Sequence, residues 1–322
     1  MAWAYRASLR AITRARGETP LTVLLYHRVL PRADPLRPGE PSAERFEMQL
    51  SWLKARFNVI SLAEALHGLR CRALPARPLV ITFDDGYADN CDLALPILKR
   101  LGLKATFFVA TGYLDGGVMF NDVVIEAVRQ ARGEALDLSA LGLGTHRVDS
   151  EAARRDAIGD LLQRIKYAAT AQRAELAQAI AHTAEARVPT NLMMTSEQVA
   201  ALVAQGMEVG AHTVLHPILK EVDIEVARAE IETGRKRLEQ ITGAPVRVFA
   251  YPNGRPGRDY AMEHVRLVRD LGFDAAVSTA WGTATPGADF YQIPRVAPWD
   301  PLLWRFGLRL ARTIATRDFA TA

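Results

Sequence analysis

Short apolar runs rich in β-branched and aromatic residues recur along the 322-residue chain, at 21–27 (LTVLLYH), 77–83 (RPLVITF), 105–110 (ATFFVA), 207–213 (MEVGAHT), 246–251 (VRVFAY), 273–279 (FDAAVST) and 291–296 (YQIPRV). Their mostly continuous apolar character predicts strands buried on both faces, as in parallel sheet. Helical patterns separate them, several with legible ends. Thr195 followed three residues on by Gln198 reads as a capping box, and that helix stops at Gly206; Gly102, Gly243 and Gly272 close others before the next strand. Strand and helix units repeating without a G-x-G-x-x-G phosphate turn predict an α/β barrel rather than a dinucleotide-binding sheet.

The rhythm breaks between 113 and 192, where Ala, Arg, Glu and Gln at helical spacing predict a helical insertion. It forms either one wall of a substrate groove or a decoration on the barrel exterior. The expected organisation is a basic amphipathic segment (1–20), a barrel (21–298, interrupted by 113–192) and a basic amphipathic helix (299–322). In the N-terminal segment Arg6, Arg10 and Arg14 share one side and Tyr5, Leu9 and Ile12 the other. In the C-terminal one Arg305, Arg309 and Arg312 form a stripe opposite Leu303, Phe306, Leu310 and Ile314. Such faces suit an anionic membrane surface or docking beneath the barrel, and docking is the favoured reading.

Composition narrows the classes. At 49% apolar and 24% charged residues the chain can bury a barrel-sized core, and a net charge of +4 is too mild to demand a nucleic-acid partner. Cys71 and Cys91 lack the spacing of a zinc knuckle or redox pair. Arginines at 6, 10, 14 and 16 break up any secretory apolar core, and the run at 21–26 is far short of the ~20 residues a membrane span requires. The expected location is cytoplasmic, with peripheral contact at the inner membrane left open.

Two motifs carry chemistry. Thr82-Phe83-Asp84-Asp85-Gly86-Tyr87 sits where a strand ends. By itself it could be a solvated turn, but at a strand terminus one carboxylate can bind a cation while the other serves proton transfer. Asp89 and Asn90, just downstream, read as caps of the next helix. His212-Thr213-Val214-Leu215-His216-Pro217 also follows a strand, and Pro217 argues for a turn rather than a helix face. Asp85, His212 and His216 together offer three N/O ligands with positions left open, the arrangement of a catalytic metal site. The expected ion is Zn2+, with Co2+, Ni2+ or Mn2+ as alternatives, and Asp84 is the candidate base for hydrolysis of an amide or ester.

These residues resemble the polysaccharide deacetylases of the NodB-homology class, carbohydrate esterase family four, over most of the chain. The resemblance implies a distorted (β/α) barrel of seven or eight strands, Asp84 as base, and Asp85, His212 and His216 as metal ligands. L-L-Y-H-R-V (24–29), F-A-Y-P-N-G (249–254) and I-P-R-V (293–296) are similar to the exopolysaccharide-associated subgroup. Ala250 stands where that family carries an arginine that pairs with the base. Arg295 is the candidate replacement, a plain groove arginine the alternative. Asn253 falls where a backbone N–H stabilises the oxyanion. The family's Leu-x-x-His-Asp stretch, which supplies the general acid, is missing, and His27 at the end of the first strand is its candidate replacement, or else a residue that only hydrogen-bonds or touches substrate. Tyr87 and Tyr251 are assigned to substrate contact. The activity implied is removal of N-acetyl groups from a bacterial glycan or its lipid-linked precursor. The alternatives are a glycan-binding barrel without turnover and an amidase of a non-sugar compound.

Overall fold

The structure, a computed structural model, describes residues 2–316 and 319–322; Met1, Arg317 and Asp318, which fall in the terminal segments 1–20 and 299–322, lie outside the described residues. The frame is a curled, all-parallel sheet of β1 (Thr22–Tyr26), β2 (Asn58–Val59), β3 (Pro78–Phe83), β4 (Thr106–Val109), β7 (Glu208–Ala211), β8 (Val248–Ala250) and β9 (Ala275–Val277). Its order is β1-β3-β4-β7-β8-β9, with β2 on the opening half of β3 and β4 on its closing half. The all-buried strands β1, β3 and β4 explain the unbroken apolar runs.

Strand β2 was not expected; two residues carry too little pattern to read. The run 291–296 does not form a strand, yet it closes the ring. Ile293 exchanges backbone hydrogen bonds with Ala276 and Ser278 beside β9, and Val296 does so with Val23 and Leu25 in β1. Single bridges at each end, Val277 to Ile293 and Leu24 to Val296, pair with both sheet edges.

Helices cover the outside: α1 (Ala2–Arg16), α2 (Ala43–Lys54), α3 (Leu62–Arg70), α4 (Leu95–Leu101), α8 (Ser196–Ala204), α9 (Ile224–Thr242), α10 (Met262–Asp270) and α11 (Leu303–Ala315). The Thr195–Gln198 capping box opens α8 as expected. Within 113–192 lie α5 (Phe120–Gln130), α6 (Glu151–Ile165) and α7 (Thr170–Thr183), together with an antiparallel hairpin of β5 (Ala135–Leu138) and β6 (Gly144–Arg147) that the helical reading missed. The stretch has its own apolar core, including Val124, Leu161 and Ile180.

The terminal helices dock. Phe306, Leu310 and Ile314, three of the four residues of the predicted apolar face of α11, are buried in the main core with Leu9 of α1. The Tyr5 hydroxyl donates to the Gly307 carbonyl at 2.8 Å, and the Arg16 guanidinium to the Ile314 carbonyl at 2.7 Å. No helix among the described residues is long and apolar enough to cross a membrane.

Candidate active site

Every chemistry-bearing motif follows the C-terminal end of a strand, the end where parallel α/β sheets gather their sites. Asp84 continues the ladder beyond β3, its N–H donating to the Tyr26 carbonyl at 2.9 Å. The chain then turns through Asp85 (φ 78°) and Gly86 (φ 91°). A Cβ on Gly86 would lie 2.9 Å from Cγ1 of Val109, so the turn needs glycine for both conformation and space. The turn sends the two adjacent carboxylates to different partners.

Asp84 meets Arg295. The guanidinium clasps the carboxylate with two parallel hydrogen bonds, Nη1 to Oδ1 and Nη2 to Oδ2, both 2.7 Å. Its Nε donates to the Ser278 carbonyl at 2.9 Å and Nη1 also to Thr82 Oγ1 at 3.2 Å. Both side chains are essentially buried. Burial alone would raise the Asp84 carboxyl, but the Arg295 charge, helped by His212, outweighs it and holds the group below the ordinary carboxylate range.

Asp85 meets the histidines. Its Oδ1 lies 3.4 Å from Nε2 of His212 and 3.5 Å from Nε2 of His216. One ligand atom from each of the three buried residues falls within 4.8 Å of the others. The Ala250 carbonyl accepts from His212 Nδ1 at 2.7 Å, which directs Nε2 toward Asp85; burial would lower this ring, but the Asp84 and Asp85 carboxylates outweigh it and hold it above the ordinary imidazole range. Burial, then the neighbouring His212, pushes His216 down to about 3, so its ring stays neutral and able to ligate. Nδ1 of His216 is buried without a hydrogen-bond partner among the described residues. Two imidazoles and one carboxylate in a buried triangle fit a divalent ion of zinc type, which would take the place of a proton on His212 Nε2.

The histidine loop is held from outside by residues that motif reading did not single out. Glu230 in α9 accepts the N–H groups of Val214 (2.9 Å) and Leu215 (2.8 Å) through one oxygen. Gly234, one turn further along α9, lets that helix approach; a Cβ there would lie 2.7 Å from the Thr213 carbonyl oxygen. Buried Arg173 of α7 donates to the His216 carbonyl at 3.1 Å. An acid or arginine in an amphipathic helix normally reads as solvated surface, so only the fold reveals these contacts.

A cavity of about 570 Å³ opens over Asp84, Asp85, His212 and His216. His27 and Asn253 line it, as do Phe120, Ile158 and Lys166 of the 113–192 stretch, which therefore supplies a wall. Asn253 (φ 59°) has an N–H with no acceptor among the described residues. Tyr87 borders the cavity, but its hydroxyl donates to Asp122 at 2.9 Å and Arg28 covers its ring. Tyr251 corrects the sequence reading: its ring is fully buried, stacked on Tyr260 at 3.9 Å, its hydroxyl donates to the Tyr291 carbonyl, and it does not line the cavity. Asp89 and Asn90 do not cap a helix by side chain either. Asp89 pairs with Arg28 at 2.8 Å and accepts the Val29 N–H, while Asn90 donates to the His27 carbonyl, so both tie the first motif to the strand end that carries His27. Trp281 and Trp299, unassigned by sequence, complete the rim.

A family model described as polysaccharide deacetylase matches residues 72–137 and 152–276. The Bacillus subtilis protein YxkH is 22% identical over 278 residues, 86% of this chain and 70% of that one. A poly-beta-1,6-N-acetyl-D-glucosamine N-deacetylase of Staphylococcus aureus is 35% identical over 74 residues, only 23% of this chain and 26% of that enzyme. The structure of Streptococcus pyogenes deacetylase PplD in complex with acetate superposes with a TM-score of 0.60 at 20% identity, covering 92% of this chain and 99% of that one. IcaB from Ammonifex degensii gives 0.58 at 20%, covering 92% and 98%. At those identities the two structures speak for the fold.

Proposed function

The chain belongs to the polysaccharide deacetylase family, and from that premise we propose that it is a metal-dependent hydrolase removing N-acetyl groups from amino-sugar residues of a bacterial glycan or its lipid-linked precursor. The observation that carries this reading is an ionised, clasped Asp84 beside the Asp85, His212, His216 triangle at the floor of one cavity. A divalent ion held by those three residues, Zn2+ by its donor set, would supply Lewis acidity to the acetamido carbonyl.

The rest falls to the chain's own groups. Asp84 takes the proton of the attacking water, and Arg295 fixes the carboxylate's orientation while keeping it ionised. The Asn253 N–H, without an acceptor among the described residues and on a residue that lines the cavity, is the donor assigned to the negative charge that develops on the carbonyl oxygen. His27 returns a proton to the nitrogen as the C–N bond breaks, so that acetate and a free amine leave. Ala250, where relatives of this type carry the arginine, contributes its backbone carbonyl to His212 instead.

The test is acetate release from N-acetylglucosamine oligomers and from a lipid-linked N-acetylated sugar, with and without chelator, for the wild type and Asp84→Asn. Chelation should abolish release, and the substitution should slow it by roughly 10²–10⁴-fold. Release indifferent to both would refute the proposal.

A further inference from the structure

Four of the five tryptophans are exposed: Trp3 (79%), Trp304 (66%), Trp299 (57%) and Trp281 (39%). Tryptophan is ordinarily among the more buried residues, and exposed apolar surface gathered in one place marks a site of interaction. Three of the four are gathered. Trp281, Trp299 and Trp304 line one shallow depression with Leu308, Arg305 and Arg312. This is not the face of α11 that the hydrophobic pattern singled out. Phe306, Leu310 and Ile314 are spent on the core, whereas Trp304 and Leu308, one helical turn apart, point away from it.

The charge beside this apolar surface is predominantly positive. Arg305, Arg309 and Arg312 border the depression, and the acid among its lining residues is Asp300. Asp300 is engaged by Arg309 at 2.6 Å and, more loosely, by Arg305 at 3.7 Å, and three arginines against this one carboxylate leave a cationic excess around the rings. Trp281 is fixed in place, its indole N–H donating to Thr313 Oγ1 at 2.8 Å. Trp281 and Trp299 line the catalytic cavity as well, so the depression begins at the cavity's own rim.

Indole rings favour the level of lipid headgroups, arginines pair with their phosphates, and a leucine between them reaches the acyl boundary. We propose that this tryptophan and arginine surface docks the protein on an anionic bilayer and brings the cavity rim to headgroup level, where an N-acetylated sugar on a lipid anchor can enter. The part concerning substrate entry rests on the deacetylase reading; the docking itself does not.

The experiment is co-sedimentation of the full chain with vesicles of phosphatidylcholine alone or of equimolar phosphatidylcholine and phosphatidylglycerol. It is run for the wild type, the Trp304→Ser/Leu308→Ser double variant and the Arg305→Gln/Arg312→Gln double variant. All four positions are on the surface, and acetate release from soluble N-acetylglucosamine oligomers serves as the control that the site is intact. The wild type should bind anionic vesicles at least tenfold more tightly than neutral ones. Each double variant should lose about tenfold or more of that affinity with soluble-substrate turnover unchanged. The proposal is overturned if the wild type ignores anionic vesicles, if the variants bind them equally well, or if the variants instead raise KM for soluble oligomers, which would make the depression a glycan groove. Absence of acetate release in every protein would sink the deacetylase reading while vesicle binding still decided the docking.

Discussion

The clasp between Asp84 and Arg295 makes a quantitative demand on stability. Arg295→Met would leave the Asp84 carboxylate buried with both oxygens stripped of their guanidinium donors. Asp84→Asn would leave the guanidinium buried without its counter-charge, with one amide oxygen in place of two carboxylate oxygens beside Ser278 and Thr82, and with an NH2 group facing its other N–H donors. Removing one member of a buried, hydrogen-bonded pair costs about 3–5 kcal/mol, because the survivor stays desolvated without compensation. Were the two losses independent, the double variant would lose about 6–10 kcal/mol, enough to unfold many domains of ordinary stability. The geometry predicts otherwise: the double variant removes both unpaired charges, leaving a neutral amide at position 84, and substitutes a methionine that fills much of the arginine's volume, so it should be no less stable than the worse single one. The measurement is urea unfolding of all four proteins in the presence of chelator, so that ion binding to the native state does not enter, with equal slopes required before midpoints are compared. A double variant that loses the sum of the two single losses would refute the idea that the pair is a single buried unit.

Two further outcomes follow from the same contacts. Glu230→Ala takes the acceptor from two loop N–H groups beside His216 without touching either histidine, so affinity for Zn2+ should fall by roughly 10–100-fold in a chelator-competition titration; unchanged affinity would show that the loop holds its own shape. Buried His264 accepts the Ala261 N–H at Nδ1 and is held below its ordinary range, by desolvation above all. The unfolded chain, with a histidine near 6.5, therefore takes up the proton first. The stability His264 contributes is fully present above about pH 6.5 and declines as pH falls toward its folded value, by up to roughly 1.4 kcal/mol per pH unit. His264→Gln, able to accept the same N–H, should unfold in urea with a shallower loss between about pH 7 and pH 5 than the wild type. Parallel curves for the two proteins would assign the acid sensitivity elsewhere.

What could be read in the chain, and what could not, divides along a physical line. Six of the seven apolar runs became strands because a strand buried on both faces leaves a continuous local signature. The adjacent aspartates and the H-x-x-x-H pair were legible because ligand spacing is local as well. Asp85 and the two histidines meet because the ends of β3 and β7, on either side of β4, deliver them to the same end of the sheet, so the parallel-sheet reading and the motif reading supported each other. Tyr251 misled because an aromatic inside a motif looks the same whether it faces the cavity or, as here, stacks on Tyr260 behind it. Asp89 and Asn90 misled likewise, since short polar residues before a helix suit a cap as well as they suit Arg28 and the His27 carbonyl. Glu230 and Arg173 were invisible because their partners are backbone groups distant in sequence, and backbone groups leave no residue code.

Arg295 joins the two kinds of information. It lies in the run 293–296 that bridges β9 and β1, and its own N–H is taken by the Ala280 carbonyl. The residues that close the sheet therefore also place the cation on Asp84. An arginine carried on the strand that leads to Asn253 would enter from β8; this one enters from the seam, next to Thr82 on the strand of the base itself. A guanidinium needs two donors in line with the carboxylate, a condition set by direction of approach rather than by the loop of origin. The seam offers that direction, with the Arg295 backbone held by the Ala280 carbonyl between the bridges to β9 and β1. Fold closure and the ionisation of Asp84 are thus linked through one side chain, and loosening the 291–296 segment should disable the base before it unfolds the barrel.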